Sequence, residues 1–170
     1  MPRSFDMATD YDGSVEQVHR AFGEEPYWLA RLADSGADEA RLDSLRVGGD
    51  GAIDVVTTQV LRADRLPGVV SQFYRGDLTI TREETWGPIR DGRASGTIAG
   101  AIPGAPASLT AAMQLGPKAS GTGARQEFTV TVEVRVPLVG GKIEDFIGKG
   151  LLDLLIAEQR FTTVWITENA

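Results

Sequence analysis

The chain contains no cysteine and a single histidine among its 170 residues. Disulfides, thiolate catalysis and Cys-ligated zinc are therefore excluded. A metal site built on His19 would need carboxylates for its other ligands, and only Glu16, three residues earlier, stands at helical spacing. Positive charge is scarce as well: 17 Lys and Arg against 24 Asp and Glu leave a net charge of −7. General binding to nucleic acid or to an anionic membrane needs a cationic face, so neither is expected as a partner. Long apolar runs are also missing. The N-terminus, MPRSFDMATDYDG, lacks the apolar h-region of a signal peptide, and the most apolar stretch, GLLDLLIA, is short and holds Asp153. The expectation is a soluble cytoplasmic protein without stable membrane insertion.

What is present reads as one domain, 1–170, with enough apolar residues (42%) to argue against disorder. Phe5, Met7, Thr9 and Tyr11 share one side of a first strand, and Asp12–Gly13 turns out of it. Asp10, Asp12 and Gly13 loosely mimic the start of a calcium loop, but the Glu such a loop needs near its twelfth position is absent, so they read as turn residues. Ser14 then caps a short helix, with Gln17 placed to close the capping box. Val15, Val18 and Phe22 give this helix its apolar stripe, and His19 reads as a solvent-facing or capping residue beside it. Gly23 ends the helix, and Pro26 opens a second one that carries Trp28, Leu29 and Leu32.

From Ala40 to Pro137 the pattern changes to strands separated by GGDG, LPG, GPIRDG, PGAP and GPKASGTG, all rich in turn formers. Strands are expected at about 41–47, 52–62, 77–86, 93–102, 107–115 and 124–136. The segment 64–73 reads as a loop or a short helical turn. Because GTGA (Gly121–Ala124) leads into a strand and not a helix, a phosphate-cradling role is not expected. In the last strand, Phe128, Val130, Val132, Val134 and Val136 share one face, with Thr129, Thr131 and Glu133 on the other. This alternation marks an antiparallel sheet with one wet face.

The final segment, about 141–167, predicts a helix roughly 40 Å long. Ile143, Ile147, Gly150, Leu154, Phe161 and Trp165, with Phe146 and Ala157, fall on one stripe. Leu152, Leu155 and Ile156 widen the band beyond one face, which calls for a second contact. Either the short N-terminal helices supply it within the chain or a homodimer supplies it through Leu152 and Ile156. Gly148 and Gly150 fall within one turn, where each costs about 1 kcal/mol against Ala.

The order β-α-α-β-β-β-β-β-β-α, with one long helix after PLVGG, resembles the START-like superfamily, also called SRPBCC or helix-grip. "VPLVGGKIEDFI", "AEQRFTTVWI" and "SVEQVHRAFGEEPYW" resemble a small actinobacterial family within it whose function is unassigned. The resemblance covers the whole chain. It implies an α+β fold in which a curved antiparallel sheet of six or seven strands wraps around the C-terminal helix, with two short helices after the first strand. It also implies a cavity between sheet and helix that holds an apolar ligand in many members. Gly150, on the inward stripe, would then either admit a sheet residue or leave room for a ligand, while Gly148 would be merely tolerated. Val130, Val132 and Val134 of the last strand, with Ile147 and Leu154 of the helix, are the expected apolar wall. Phe73 and Tyr74, near the cavity mouth, are candidates for a lid.

Polar candidates are few. Arg82 and Glu84 alternate with Leu78, Ile80 and Trp86, which sets them on the inward face unless the twist turns that end of the strand toward solvent, and Glu158 lies at the edge of the helix stripe, where a buried carboxylate needs a partner. They are either a self-neutralising structural group or anchors for a ligand head group. Three functions follow. The first is a carrier for a hydrophobic small molecule, lipid or polyketide-like. The second is a cyclase or aromatase working by general acid–base chemistry, although no motif aligns catalytic residues onto this chain. The third is an interaction module with a filled core. No cofactor or metal is implied by any of them.

Overall fold

The structure is a computed structural model describing residues 2–66, 68, 76–138 and 140–169. Its elements are β1 (Arg3–Tyr11), α1 (Val15–Phe22), α2 (Glu25–Asp34), β2 (Glu39–Val47), β3 (Ile53–Leu61), β4 (Leu78–Trp86), β5 (Ala94–Ala101), β6 (Ala107–Pro117), β7 (Ala124–Val134) and α3 (Gly140–Asn169). The seven strands form one curved antiparallel sheet in the order β1-β7-β6-β5-β4-β3-β2. Strands β2 to β7 follow one another as a meander. The exception is β1, which pairs with β7 from Arg3↔Val132 to Tyr11↔Ala124 and so joins the first strand to the last.

Local chemistry accounts for these joints. Between β4 and β5, Asp91 (φ 54°) and Gly92 (φ 74°) both take left-handed conformations, as a two-residue hairpin of matching twist requires. Ahead of α1, the Gln17 amide donates to Ser14 Oγ at 3.2 Å and the Ser14 amide donates to Gln17 Oε1 at 2.9 Å, which closes the capping box. In β7 the even-numbered residues from Ala124 to Val134 are buried and Thr129 is exposed, but Thr131 and Glu133 are half-buried. Ser4 of the neighbouring β1 covers Thr131, their hydroxyls 3.1 Å apart. Within 64–73, Ala63–Arg65 forms a short 3-10 turn. Phe73 and Tyr74 lie outside the described residues.

Helix α3 lies across β1 and β7 along its first half and against α1 and α2 along its second. Its inward stripe is turned one residue from the expected one. Ile143, Glu144, Gly148, Leu155, Thr162 and Ile166 are buried, whereas Gly150, Leu152, Leu154, Ile156 and Ala157 are exposed. Polar residues placed inward made the shift hard to see. Glu144 is fully buried because its Oε2 accepts the Val134 amide at 2.8 Å, satisfying a donor at the end of β7. Gly148, not Gly150, is the packing glycine. A Cβ there would meet the Phe5 ring at 2.4 Å, whereas a Cβ on Gly150 meets nothing within 4 Å. The inward role expected of Gly150 therefore belongs to its neighbour two residues earlier.

An aromatic cluster fixes the second half of α3. Tyr27 of α2 lies 5.8 Å from Phe161 and 5.9 Å from Trp165, ring centre to ring centre, and Phe22 of α1 stacks on Trp86 at 5.4 Å. The first half of α3 stands off strands β3 to β6, and that gap contains the site.

Candidate functional site

A cavity of about 370 Å³ lies between α3 and the concave face of the sheet. Val130, Val132 and Val134 wall it from β7, Ile147, Leu154 and Leu155 from α3, and Leu78 and Ile80 from β4. Alternation on the strands turns these side chains to one face, as the sequence predicts. Among the described residues, four polar side chains border it: Gln59, Ser108, Arg82 and Glu158.

Arg82 and Glu158 belong to a larger buried group at one end of this cavity. Arg82 donates from Nη2 to Glu84 Oε1 at 2.7 Å and from Nη1 to Glu158 Oε1 at 3.1 Å. Arg31 of α2 closes the set. It pairs with Glu158 Oε2, donates from Nη1 to the Tyr27 hydroxyl at 3.2 Å, and lies 4.7 Å from the centre of the Trp28 ring. The Trp86 indole donates to Glu84 Oε2 at 3.0 Å, and the Tyr27 and Thr162 hydroxyls are 2.7 Å apart. Glu158 is thus where the sheet, α2 and α3 meet. Two guanidinium groups face two carboxylates, and the set is neutral.

The electrostatics hold Glu84 ionised. Burial opposes the charge on Glu84, but Arg82 and Arg31 and the Trp86 hydrogen bond outweigh it, so the carboxyl titrates below its ordinary value. Burial lowers Arg82 from the usual guanidinium value against the opposing pull of Glu84. For Arg31 burial is outweighed by Tyr27 and Glu84, and the net direction is up. Burial, then the neighbouring Tyr27, pushes the Tyr11 phenol well up, and its hydroxyl donates to Gln126 Oε1 at 2.8 Å.

Of the residues singled out in the sequence, the structure brings Arg82, Val130, Val132, Val134, Ile147, Leu154 and Glu158 together around the cavity. Glu84 points inward as expected but lies just behind the wall, in the buried charge group. Trp86 is buried under α1 against Phe22 and does not reach the cavity. Gly150 faces outward. Phe73 lies outside the described residues. His19 corrects a further expectation: it is 8% exposed, and its Nε2 donates to the Gly87 carbonyl at 2.9 Å, joining α1 to the end of β4. Among the described residues no cluster of three or more His, Cys, Asp or Glu could hold a metal ion. Nor is any described helix long and apolar enough to cross a membrane. Sequence reasoning missed Tyr27 and Arg31. Their spacing of four on one short helix was the available signal, since it puts both on the face that carries Trp28 inward.

The sequence matches, over residues 6–166, the family described as "Protein of unknown function (DUF2505)". The chain belongs to this family. Among relatives of this DUF2505 protein, the uncharacterized protein Rv0481c of Mycobacterium tuberculosis is 54% identical over 173 residues, covering 99% of both chains. The fold is similar to that of TTHA0849 from Thermus thermophilus, with a TM-score of 0.65 and 14% identity over 99% of each chain. It is also similar to norcoclaurine synthase from Thalictrum flavum, with a TM-score of 0.58 and 13% identity over 99% of this chain and 88% of that one. The DUF2505 protein thus has the START-like, helix-grip fold that its sequence resembles.

Proposed function

We propose that this chain binds and carries a hydrophobic small molecule, lipid or polyketide-like, between the sheet and α3. The observation that carries this reading is the cavity itself: about 370 Å³ bordered, among the described residues, by apolar side chains except at Gln59, Ser108, Arg82 and Glu158. This combination, an apolar chamber with few polar groups at fixed places, is what small-molecule sites require. A space of that size also weighs against an interaction module with a filled core. The cyclase-type reading is weaker on chemical grounds. A general acid at neutral pH needs a carboxyl held above its ordinary value, whereas Glu84 is held below it, and both Glu84 oxygens already accept hydrogen bonds inside the fold.

Ala111 of β6 gives a clean test, since it lines the cavity between Ile98 and Val130 on the flanking strands. The wild-type protein should take up the neutral fluorophore N-phenyl-1-naphthylamine with a rise in emission. Ala111→Phe should fill the space, stay folded and lose that uptake. A wild type that takes up no apolar probe would end the carrier reading. Melting temperature separates the two cases for Ala111→Phe: overpacking a filled core costs about 1–3 kcal/mol, whereas an open chamber admits the ring without that loss.

A further inference from the structure

A second, much smaller cavity of about 10 Å³, roughly the space one water needs, lies directly behind the first. The two share a wall made of Arg82, Phe128, Leu155 and Glu158. Unlike the large cavity, the small one is polar, bordered by Thr9, Tyr11, Gln126 and Thr162 with the charge group. One of its side chains, Arg82, holds a buried polar atom, Nε, without a hydrogen-bond partner among the described residues. The apolar chamber therefore ends at a polar one whose hydrogen bonding is incomplete. Its charge is complete: Arg31 and Arg82 are matched by Glu84 and Glu158, each in an ion pair.

These two facts select the ligand's head group. A carboxylate brought to this end would leave the group with an uncompensated negative charge away from water, and an ammonium would leave it with a positive one. Both cost far more than an unmade neutral hydrogen bond. An uncharged oxygen meets no such penalty. A hydroxyl fits best, since it can accept from a guanidinium N–H and donate to a carboxylate oxygen, whereas a ketone or ester can only accept. Resting on the carrier reading above, we infer that the ligand is an uncharged amphiphile: an apolar body in the large cavity and a single neutral oxygen function, a hydroxyl before a carbonyl, directed at Arg82 and Glu158.

Matched ten-carbon probes test this by displacement of bound N-phenyl-1-naphthylamine at about pH 8, where a free carboxyl is ionised and an alkylamine protonated. Decanol should displace the fluorophore at a concentration at least about tenfold below that needed for decanoate or decylamine. The charge argument also predicts an inversion. Glu158→Gln leaves the group with one net positive charge, so decanoate should gain on decanol while decylamine falls further behind. If Glu158→Gln does not fold, Glu84→Gln makes the same change of charge beside Arg82. Decanoate binding the wild type as well as decanol would overturn the head-group inference and leave the carrier reading standing. So would a preference that the charge-changing variant does not alter. Failure of the wild type to take up the fluorophore at all would instead remove the carrier reading beneath it.

Discussion

A Cβ built on Gly148 would sit 2.4 Å from the Phe5 ring, while one built on Gly150 is in open space. The same substitution should therefore have opposite effects two residues apart. Gly150→Ala gains helix propensity and should raise stability by a little under about 1 kcal/mol. Gly148→Ala gains as much in propensity but must push the Phe5 ring aside, and overpacking of about 1–3 kcal/mol outweighs the gain. Urea unfolding of the two variants checks this; equal shifts would mean that α3 does not rest on β1 at Gly148. Glu84 supplies a pH signature at the same scale. Its carboxyl is depressed in the folded state, so its contribution is present above the unfolded Glu value of about 4.3 and is lost as pH falls through the folded value. Glu84→Gln cannot take up that proton. It should lower neutral-pH stability by about 1–3 kcal/mol, because Arg82 loses a charged partner, and should flatten the fall in stability on acidification. An acid profile as steep as the wild type's would place the titration elsewhere.

At the scale of the element, α3 shows what a hydrophobic pattern can and cannot tell. Its length and its single-helix character follow from the spacing of its apolar residues, and its start, at Gly140 inside PLVGG, falls one residue ahead of the expected one; its rotation does not follow. Counting apolar side chains centres the stripe on Gly150 and Leu154, one residue short of the buried Leu155. The inward face instead takes Glu144, Glu158 and Thr162. Each is inward because of a partner on another element: the Val134 amide for Glu144, Arg31 and Arg82 for Glu158, and Tyr27 for Thr162. No local window of sequence contains those partners. Adjacent residues test the phase directly. Leu155 is buried and Ile156 is 41% exposed. Leu155→Glu should cost several kcal/mol as an unpaired buried charge, whereas Ile156→Glu should stay within about 0.5 kcal/mol of wild type. Since α2 meets α3 around Glu158, Phe161 and Trp165, and Leu152 and Ile156 stay exposed, the intrachain cover weighed for those two residues is not supplied. If a homodimer covers them, Ile156→Glu gives a folded monomer by sedimentation; if the wild type is itself monomeric, that proposal is void.

On the scale of the whole molecule, the strand alternation and turn chemistry made the sheet legible almost residue by residue, and the order of elements made the fold legible. The pairing of β1 with β7, which closes the first strand onto the last, was not read from the sequence, since partners so far apart leave no local pattern. The existence of a cavity came only from the resemblance, because a void is a property of how far two surfaces stand apart and no residue pattern encodes that distance. The cavity wall was half legible: the valines of β7 and the inward Arg82 follow from alternation, whereas Trp86, on the same strand face, is taken up by Phe22 of α1. The central claim is that the space between sheet and α3 holds an apolar guest. The most direct measurement is native mass spectrometry of the protein purified gently from its own host, beside Ala111→Phe prepared the same way. The account predicts a co-purifying mass on the folded wild type, released as an uncharged apolar compound and absent from Ala111→Phe. The bare chain mass for both proteins, or an adduct that Ala111→Phe retains undiminished, would contradict it.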